Sequence, residues 1–476
     1  MNFLPITLFW GLAIWGIASR RPVLMYLFFA TMPFGAFAVI PTTLTGGLTF
    51  TATPLITLII IVRVFLDRQG PARVLGLALA PQRLMLLFLF WLVAAVTTAF
   101  MPRLFENAVM VVPIRGVLSE TAPLRPTAQN LSQFAYLTIS VFGVFAFAQI
   151  LQSATARQHA LKAMCLGGAI TAATGFLDHA SQFLPLAPVL APFRTASYAL
   201  ATDVEVLGAK RVVDLMPEAS AFGGLCLAFM GALYFYRRAI FDEMVRNVWA
   251  PVVLGLLAAC AWLSTSSGTY VGLFLLAVVA ALEWFLRANA NGRTYSIYRQ
   301  GLGSELSVVV TLVVGMAVLL IIWPQVLDPV YSLIDRMVVQ KSASDSYAER
   351  GMWRSVALAS LFETYGFGVG LGGTRASSSM VAIFSGAGII GGTLYYAFVL
   401  QNVLRPTAGA PIETQLIVFA FRFSFIPTFV VTLMVGDADF GGMTAFGFGI
   451  TTALAIANGR RAEKYLWTPP MYLQPR

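Results

Sequence analysis

The sequence predicts an all-α, polytopic integral membrane protein, and three observations support this fold class. Hydrophobic residues make up 58% of the 476 residues and charged residues only 11%, whereas a soluble chain carries about 25% charged residues. About 13 apolar runs are close to the length that crosses a bilayer. No polar stretch is long enough to bury a core of its own, so we expect a single transmembrane domain over residues 1–476.

The apolar runs predict about 13 transmembrane helices. The run at 51–66 is short, which leaves a re-entrant segment as an alternative, and the runs within 248–286 are divided only by the polar residues STSSG. The predicted spans lie near residues 3–19, 22–40, 51–66, 84–101, 133–152, 161–178, 218–236, 248–264, 267–286, 306–323, 380–400, 415–435 and 442–458.

Basic residues predict the orientation, because short cytoplasmic loops are enriched in lysine and arginine. If the loop with Arg20 and Arg21 is cytoplasmic, the other short basic loops fall on the same side, the N-terminus lies outside and the C-terminus lies in the cytoplasm. Long loops at 102–132, 179–217 and 324–379 then lie outside, and the last is the largest. These loops are rich in arginine, which indicates that they bind an anionic ligand.

The largest loop ends in a charged helix and a run of glycines. Residues 346–363 have the pattern of an amphipathic helix on which Arg350 and Arg354 share a face. GFGVGLGG follows, and Arg375 comes soon after it. Bare backbone N–H groups can form an anion-binding nest, and guanidinium groups bind phosphate in a fork. The combination predicts a phosphate or diphosphate site; an interfacial helix against lipid headgroups, followed by a flexible turn, explains the same residues.

A second candidate site lies in KRVVDLMPEASAFG, just ahead of a predicted span. Lys210 and Arg211 precede Pro217 and Glu218. Proline and an acidic residue both favour the start of a helix, which is one explanation for Glu218. The other is a carboxylate at the membrane face, close to cations, that acts as a base or binds a sugar hydroxyl.

Two further groups of polar residues interrupt the apolar pattern. STSSGTY, at 264–270, either caps helices or binds a sugar or phosphate with its hydroxyls. Arg422 lies inside the predicted span 415–435, where a charge is costly and needs a partner or a cavity. Asp437 and Asp439, at the next turn, are candidate partners.

The composition argues against metal, disulfide and nucleotide chemistry. The chain has 2 histidines and 3 cysteines, and the cysteines lie in apolar runs without metal-ligand spacing, which is typical of packed thiols. The glycine run lacks the lysine and serine of a nucleotide-binding loop. We therefore expect no cofactor, no metal and no nucleic-acid partner, although the net charge is +10.

The chain resembles the O-antigen polymerase and ligase superfamily, which includes the Wzy-like polysaccharide polymerases of bacterial envelopes. The resemblance lies in ERGMWRSVALASLFETYGFGVGLG, in GAGIIGGTLYYAFVL at the start of the next span, and in the basic residues before PEASAFG. The motifs fall within about residues 200–400, and the pattern of spans agrees over the whole chain.

The resemblance implies an enzyme of the bacterial inner membrane that transfers a glycan from undecaprenyl diphosphate to a sugar hydroxyl on the extracytoplasmic face, without a metal. The bilayer and the lipid-linked glycan are then its partners, and a chain-length regulator is a further candidate. An arginine of the family is absent near SSGTY, and Arg375 or Arg422 is the candidate to replace it. The implied diphosphate-binding residues are Lys210, Arg211, Arg350, Arg354, Arg375 and Arg422.

One departure from the family pattern favours a polymerase over a ligase. Ligases carry a His-Asn pair after the glycines, where this chain has RASSS at 375–379. The leading prediction is a polysaccharide polymerase that works by a single, inverting displacement, with Glu218 as the base and Glu349 as the weaker candidate. A glycan ligase is the alternative within the class; a lipid-linked glycan flippase and a non-catalytic assembly partner are the alternatives outside it.

Overall fold

The computed structural model describes residues 3–467, except for 42–43, 46–48, 116–119, 198–199, 202–204, 207–208, 290–298, 300, 324, 326–327, 329–330, 332–334 and 336–344. For 206, 209, 345–346 and 460–467 it describes the backbone alone. Much of the first half of the predicted loop 324–379 therefore lies outside the described residues.

Helices dominate the described chain. They are α1 Leu4–Ala18, α2 Val23–Ala30, α3 Ala52–Phe65, α4 Gly70–Ala78, α5 Met85–Leu104, α6 Ala128–Ile150, α7 Ala154–Ala180, α8 Ala187–Leu190, α9 Ala219–Tyr236, α10 Ala250–Leu263, α11 Ser267–Ala288, α12 Leu302–Ile322, α13 Asp345–Glu363, α14 Ser379–Val403, α15 Ile412–Met434 and α16 Gly441–Trp467. A π-helical turn, Val245–Trp249, precedes α10.

Within the described residues, strands are short and form two hairpins in the predicted outer loops. Strands β1 Met110–Val111 and β2 Ala122–Pro123 pair in antiparallel fashion, as do β3 Glu205–Val206 and β4 Ala209–Lys210. The helical fold class is therefore confirmed for the described residues.

Nine helical segments within the described ranges are long and apolar enough to cross a membrane, and α1 and α3 are shorter apolar helices. The chain is a polytopic helical membrane protein; the count of about 13 spans stays a prediction. STSSG separates α10 from α11, which confirms two helices within 248–286.

The predicted helical span at 22–40 is wrong, because the helix α2 ends at Ala30. The chain continues as irregular backbone whose polar groups bond to other loops. The N–H of Ala36 donates to the Leu215 carbonyl at 2.7 Å, and the N–H of Val39 donates to the Phe50 carbonyl at 2.9 Å. In a membrane protein such backbone is tolerated where protein satisfies its hydrogen bonds. Hydropathy alone does not reveal these partners.

Aromatic side chains fill the centre of the bundle. Phe28 of α2 lies edge-on to Phe147 of α6, with ring centroids 4.8 Å apart, and Phe29 lies edge-on to Phe446 of α16 at 5.0 Å. Edge-to-face pairs of this kind add to the energy of burying the rings. This core holds α2, α6 and α16 together.

Ion pairs join the helices at the end of the bundle where α7 and α15 begin. Arg157 at the start of α7 makes two bonds to Glu413 of α15, at 2.9 and 2.6 Å. Lys162 Nζ of α7 lies 2.7 Å from Asp242 Oδ2. The loops predicted to be cytoplasmic thus meet at one end of the bundle.

The helix α12 is attached mainly through its first turn. Glu305 accepts hydrogen bonds from Arg237, Arg238 and Arg287. The remainder of α12 is apolar and has no buried residue, as expected of a helix that faces lipid.

Candidate functional site

A cavity of about 900 Å³ opens at the end of the bundle where α9 begins and α15 ends, which we call the cavity end. Every loop that reaches it falls on the side predicted to be extracytoplasmic. Apolar and hydroxyl-bearing side chains form most of the wall. The charged residues that line it are Glu218, Arg350, Arg375, Asp437 and Asp439.

Glu218 is the residue that precedes α9, and its side chain does not cap the helix. The backbone at Glu218 is extended (φ −155°, ψ 160°), and no capping hydrogen bond forms from the carboxylate. The carboxylate is exposed to the cavity instead and accepts a hydrogen bond from the Ser220 hydroxyl. The Glu218 carboxylate therefore does not serve as a capping hydrogen-bond acceptor for α9.

A buried ion pair fixes the loop that leads to Glu218. Arg194 Nη2 lies 2.6 Å from Asp178 Oδ1 and donates to the Asp214 carbonyl at 2.7 Å. Asp178 Oδ2 accepts from the N–H groups of Val213 and Asp214, both at 2.8 Å. Asp178 is 1% exposed, and a buried charge needs this degree of pairing. Sequence reasoning missed the pair because its members lie in different elements.

Arg211 lies behind the cavity wall, close to Glu218 and Arg350. Its Nε donates to the Ser264 carbonyl and to Thr265 Oγ1, both at 3.2 Å. Burial lowers the pKa of the Arg211 guanidinium, the charge of Glu218 opposes the shift, and Arg350 adds to it. The STSSG turn thus holds an arginine as well as closing α10.

The helix α13 presents one arginine of its pair to the cavity. Arg350 lines it, whereas Arg354 is exposed and Glu349 is only partly buried, and neither of these two lines the cavity. Ala357 and Leu361 are buried, so the apolar stripe of α13 fixes which residues point to the cavity. Arg354 lies one helical turn beyond Arg350, and this places it past the edge of the cavity.

Arg375 completes the cationic side of the cavity. Its guanidinium carbon lies 4.6 Å from the centroid of the Trp353 ring, in a cation–π contact. The N–H of Arg375 donates to the Val112 carbonyl at 2.8 Å, and Ser377 Oγ donates to the Arg350 carbonyl at 3.0 Å. These bonds hold the two arginines on the same side of the cavity.

Two aspartates face the arginines from the turn between α15 and α16. The Asp437 carboxylate is exposed to the cavity, whose walls surround it on most sides. Burial raises the pKa of Asp437, Asp439 raises it further, and Arg375 opposes the shift. Burial also raises the pKa of Asp439, which accepts from the Gly441 N–H at 3.2 Å. The cavity therefore places carboxylates and guanidinium groups close together.

The glycine run does not form an anion-binding nest, so that expectation is wrong. Most of its N–H groups are already used within the protein: Val369 donates to the Ser385 carbonyl at 2.7 Å and Leu371 donates to Thr98 Oγ1 at 3.1 Å. The run is absent from the lining of the cavity.

Close packing explains the glycines. Gly366, Gly368, Gly370 and Gly372 all have positive φ. A Cβ on Gly368 would lie 2.6 Å from the Ser385 carbonyl oxygen of α14, so this backbone fits only without a side chain. The run wedges between α5, α6 and α14 and thereby fixes the position of Arg375.

Arg422 and Lys210 do not line the cavity. Arg422 Nε donates to the Val403 carbonyl at 2.8 Å and Nη2 donates to the Arg405 carbonyl, so it satisfies the far end of α14. Arg422 lies 12 residues before the end of α15 at Met434, which is about 18 Å, and Asp437 follows that end. The predicted pairing of Arg422 with Asp437 and Asp439 is therefore wrong. Lys210 lies in β4, where its carbonyl accepts from Gln182 at 3.1 Å.

The three cysteines are buried free thiols, as predicted. No protein-family model, curated protein or solved structure matches the chain.

Proposed function

We propose that the protein is a polysaccharide polymerase that joins undecaprenyl-diphosphate-linked oligosaccharide repeat units on the extracytoplasmic face of the inner membrane. The proposal combines the sequence resemblance with the chemistry of the cavity. Guanidinium groups suit a diphosphate, carboxylates suit a sugar hydroxyl, and the transfer needs both at one place.

One observation carries the proposal: Arg350, Arg375 and Glu218 line the same cavity, although they come from three distant segments. Arg211 supports them from behind the wall. A purely lipid-facing role for the arginines, on an interfacial helix, would not bring them opposite carboxylates.

The proposed reaction is a direct displacement at the anomeric carbon of the donor. The acceptor hydroxyl oxygen forms the new glycosidic bond while the bond between that carbon and the diphosphate oxygen breaks, which inverts the anomeric configuration. Arg350 and Arg375 stabilise the negative charge that grows on the leaving diphosphate. Glu218, oriented by Ser220, accepts the proton from the acceptor hydroxyl.

The distribution of charge favours an enzyme over a flippase. The charged lining residues all come from the cavity end, either from the helix α13 of the predicted outer loop 324–379, from loops, or from the start of α9. A flippase needs a polar path that connects both faces of the membrane.

Polymer made in the native host tests the proposal. Arg350→Ala and Arg211→Ala each reduce the length and yield of the envelope polysaccharide, while Arg354→Ala, which alters an exposed arginine of the same helix, leaves both unchanged. Normal polymer from the first two variants, with the protein present in the membrane, contradicts the proposal.

A further inference from the structure

The cavity continues below its charged residues into the bundle. Its lining reaches Ala228, nine residues past the start of α9 at Ala219, and Thr428, six residues before the end of α15 at Met434. These distances are about 14 and 9 Å at 1.5 Å per residue. Because the hydrocarbon core is about 30 Å thick, the floor of the cavity approaches the centre of the bilayer.

Hydroxyl groups line this deeper part, which we call the hydroxyl floor. It lies in apolar helices, and each hydroxyl oxygen can still accept a hydrogen bond from a ligand or water in the cavity. Its members come from α3, α6, α15 and α16. They are Thr57, Ser140, Thr428 and Thr444.

The hydroxyl floor presents hydrogen-bond acceptors. Thr57 Oγ1 donates to the Thr53 carbonyl at 2.8 Å, and Thr428 Oγ1 donates to the Phe425 carbonyl at 3.0 Å. Such bonds use the hydroxyl hydrogen and leave the oxygen lone pairs to accept.

Three kinds of ligand are distinguished by this chemistry. An anion is disfavoured, because the floor offers acceptors and Asp439 lies beside it. A polyprenyl tail carries no hydrogen-bond donor, so it would leave the hydroxyl lone pairs of the floor unused. A polyhydroxylated ligand supplies many O–H donors and matches the floor.

We propose that the hydroxyl floor is a subsite for one or two neutral sugars of a glycan, which enter toward the centre of the bilayer while the anionic group stays at Arg350 and Arg375. This inference rests on the proposed function and adds to it the direction in which the glycan enters. The polyprenyl tail then stays in the surrounding lipid.

Calorimetry on the purified full chain tests the subsite. The saccharide probe is the phosphate-free oligosaccharide that mild acid releases from the lipid-linked intermediates of the native host, and the anion probe is inorganic pyrophosphate. Thr57→Val and Thr428→Val remove one hydroxyl each and keep the side-chain shape. Thr7→Val is the matched control, since Thr7 makes the same kind of bond, to the Leu4 carbonyl, on an exposed face.

We expect each of the two cavity variants to weaken saccharide binding by roughly three- to tenfold, with pyrophosphate affinity unchanged and the control like wild type. Unchanged saccharide affinity in both variants overturns the subsite, as does displacement of the saccharide by geranylgeraniol. Binding of pyrophosphate without the saccharide overturns the subsite alone. Saccharide binding without pyrophosphate supports the subsite and contradicts the proposed diphosphate site.

Discussion

Arg375 lies over the indole ring of Trp353, with its guanidinium carbon 4.6 Å from the ring centroid, and both side chains line the cavity. Trp353 belongs to α13, one turn from Arg350, whereas Arg375 follows the glycine run. The contact therefore joins the two segments that carry the proposed diphosphate ligands.

Replacing Arg375 is expected to remove most of the activity. Arg375→Ala loses the charge that is proposed to stabilise the leaving diphosphate, and we expect a fall in turnover of about 10²-fold or more. Arg375→Lys keeps the charge but loses the planar fork and the stacking on Trp353, so it is expected to recover only part of the rate. Turnover of lipid-linked repeat units in proteoliposomes measures both. A fully active Arg375→Ala protein contradicts the role given to this residue.

Replacing the two candidate bases, Glu218 and Glu349, is expected to have different effects on turnover. Glu218→Gln keeps the size of the side chain but cannot accept a proton, and we expect turnover to fall by about 10²- to 10⁴-fold. Glu349→Gln is the matched control, because Glu349 does not line the cavity. The same assay, at saturating donor, separates them, and equal losses in the two variants would show that the loss has another cause.

Asp437 is expected to make the stability of the folded state depend on pH. Its pKa is raised by burial and by Asp439, so the folded state binds its proton more tightly than the unfolded state does. The stability that this proton contributes is full below the unfolded pKa and is lost as pH rises through the folded pKa. Asp437→Asn should therefore raise the thermal midpoint at neutral pH, and the gain should shrink as pH falls toward about 4. Melting curves in detergent between these pH values test the sign; a gain that grows on acidification contradicts it.

Gly368 is expected to tolerate no side chain. Gly368 has a φ of +81°, and Gly368→Ala places a Cβ 2.6 Å from the Ser385 carbonyl oxygen. We expect the free energy of unfolding to fall by about 2–5 kcal/mol. Gly76→Ala is the control, because Gly76 lies in α4 with open space around it. There we expect alanine to raise the free energy of unfolding by about 0.5–1 kcal/mol. Unfolding in denaturant compares the two, and similar effects would mean that the glycine run is loosely packed.

Local sequence patterns predicted the elements well where one face of a helix is apolar. The amphipathic pattern at 346–363 predicted a helix that the structure places at Asp345–Glu363. Hydropathy also located the long apolar helices. It could not show that α2 stops at Ala30, because the partners of the following backbone lie in loops far along the chain.

Contacts between distant segments limited the prediction of the site. Arg350, Arg375 and Glu218 were identified from motifs, and the structure brings them to one cavity. The glycine run suggested a ligand because bare backbone suits an anion, but the same property serves packing against α14. Arg422 suggested a site because a charge in an apolar run needs a partner; two carbonyls at the end of α14 fill that need.

Reconstitution with a purified lipid-linked repeat unit tests the central claim most directly. Wild-type protein in proteoliposomes is expected to extend the glycan on the lipid, so that products of two or more repeat units appear with the inverted anomeric linkage, and Arg350→Ala is expected to stop this extension. Glycan moved to an acceptor other than a lipid-linked repeat unit, or intact repeat unit carried across the bilayer without extension, would contradict the account.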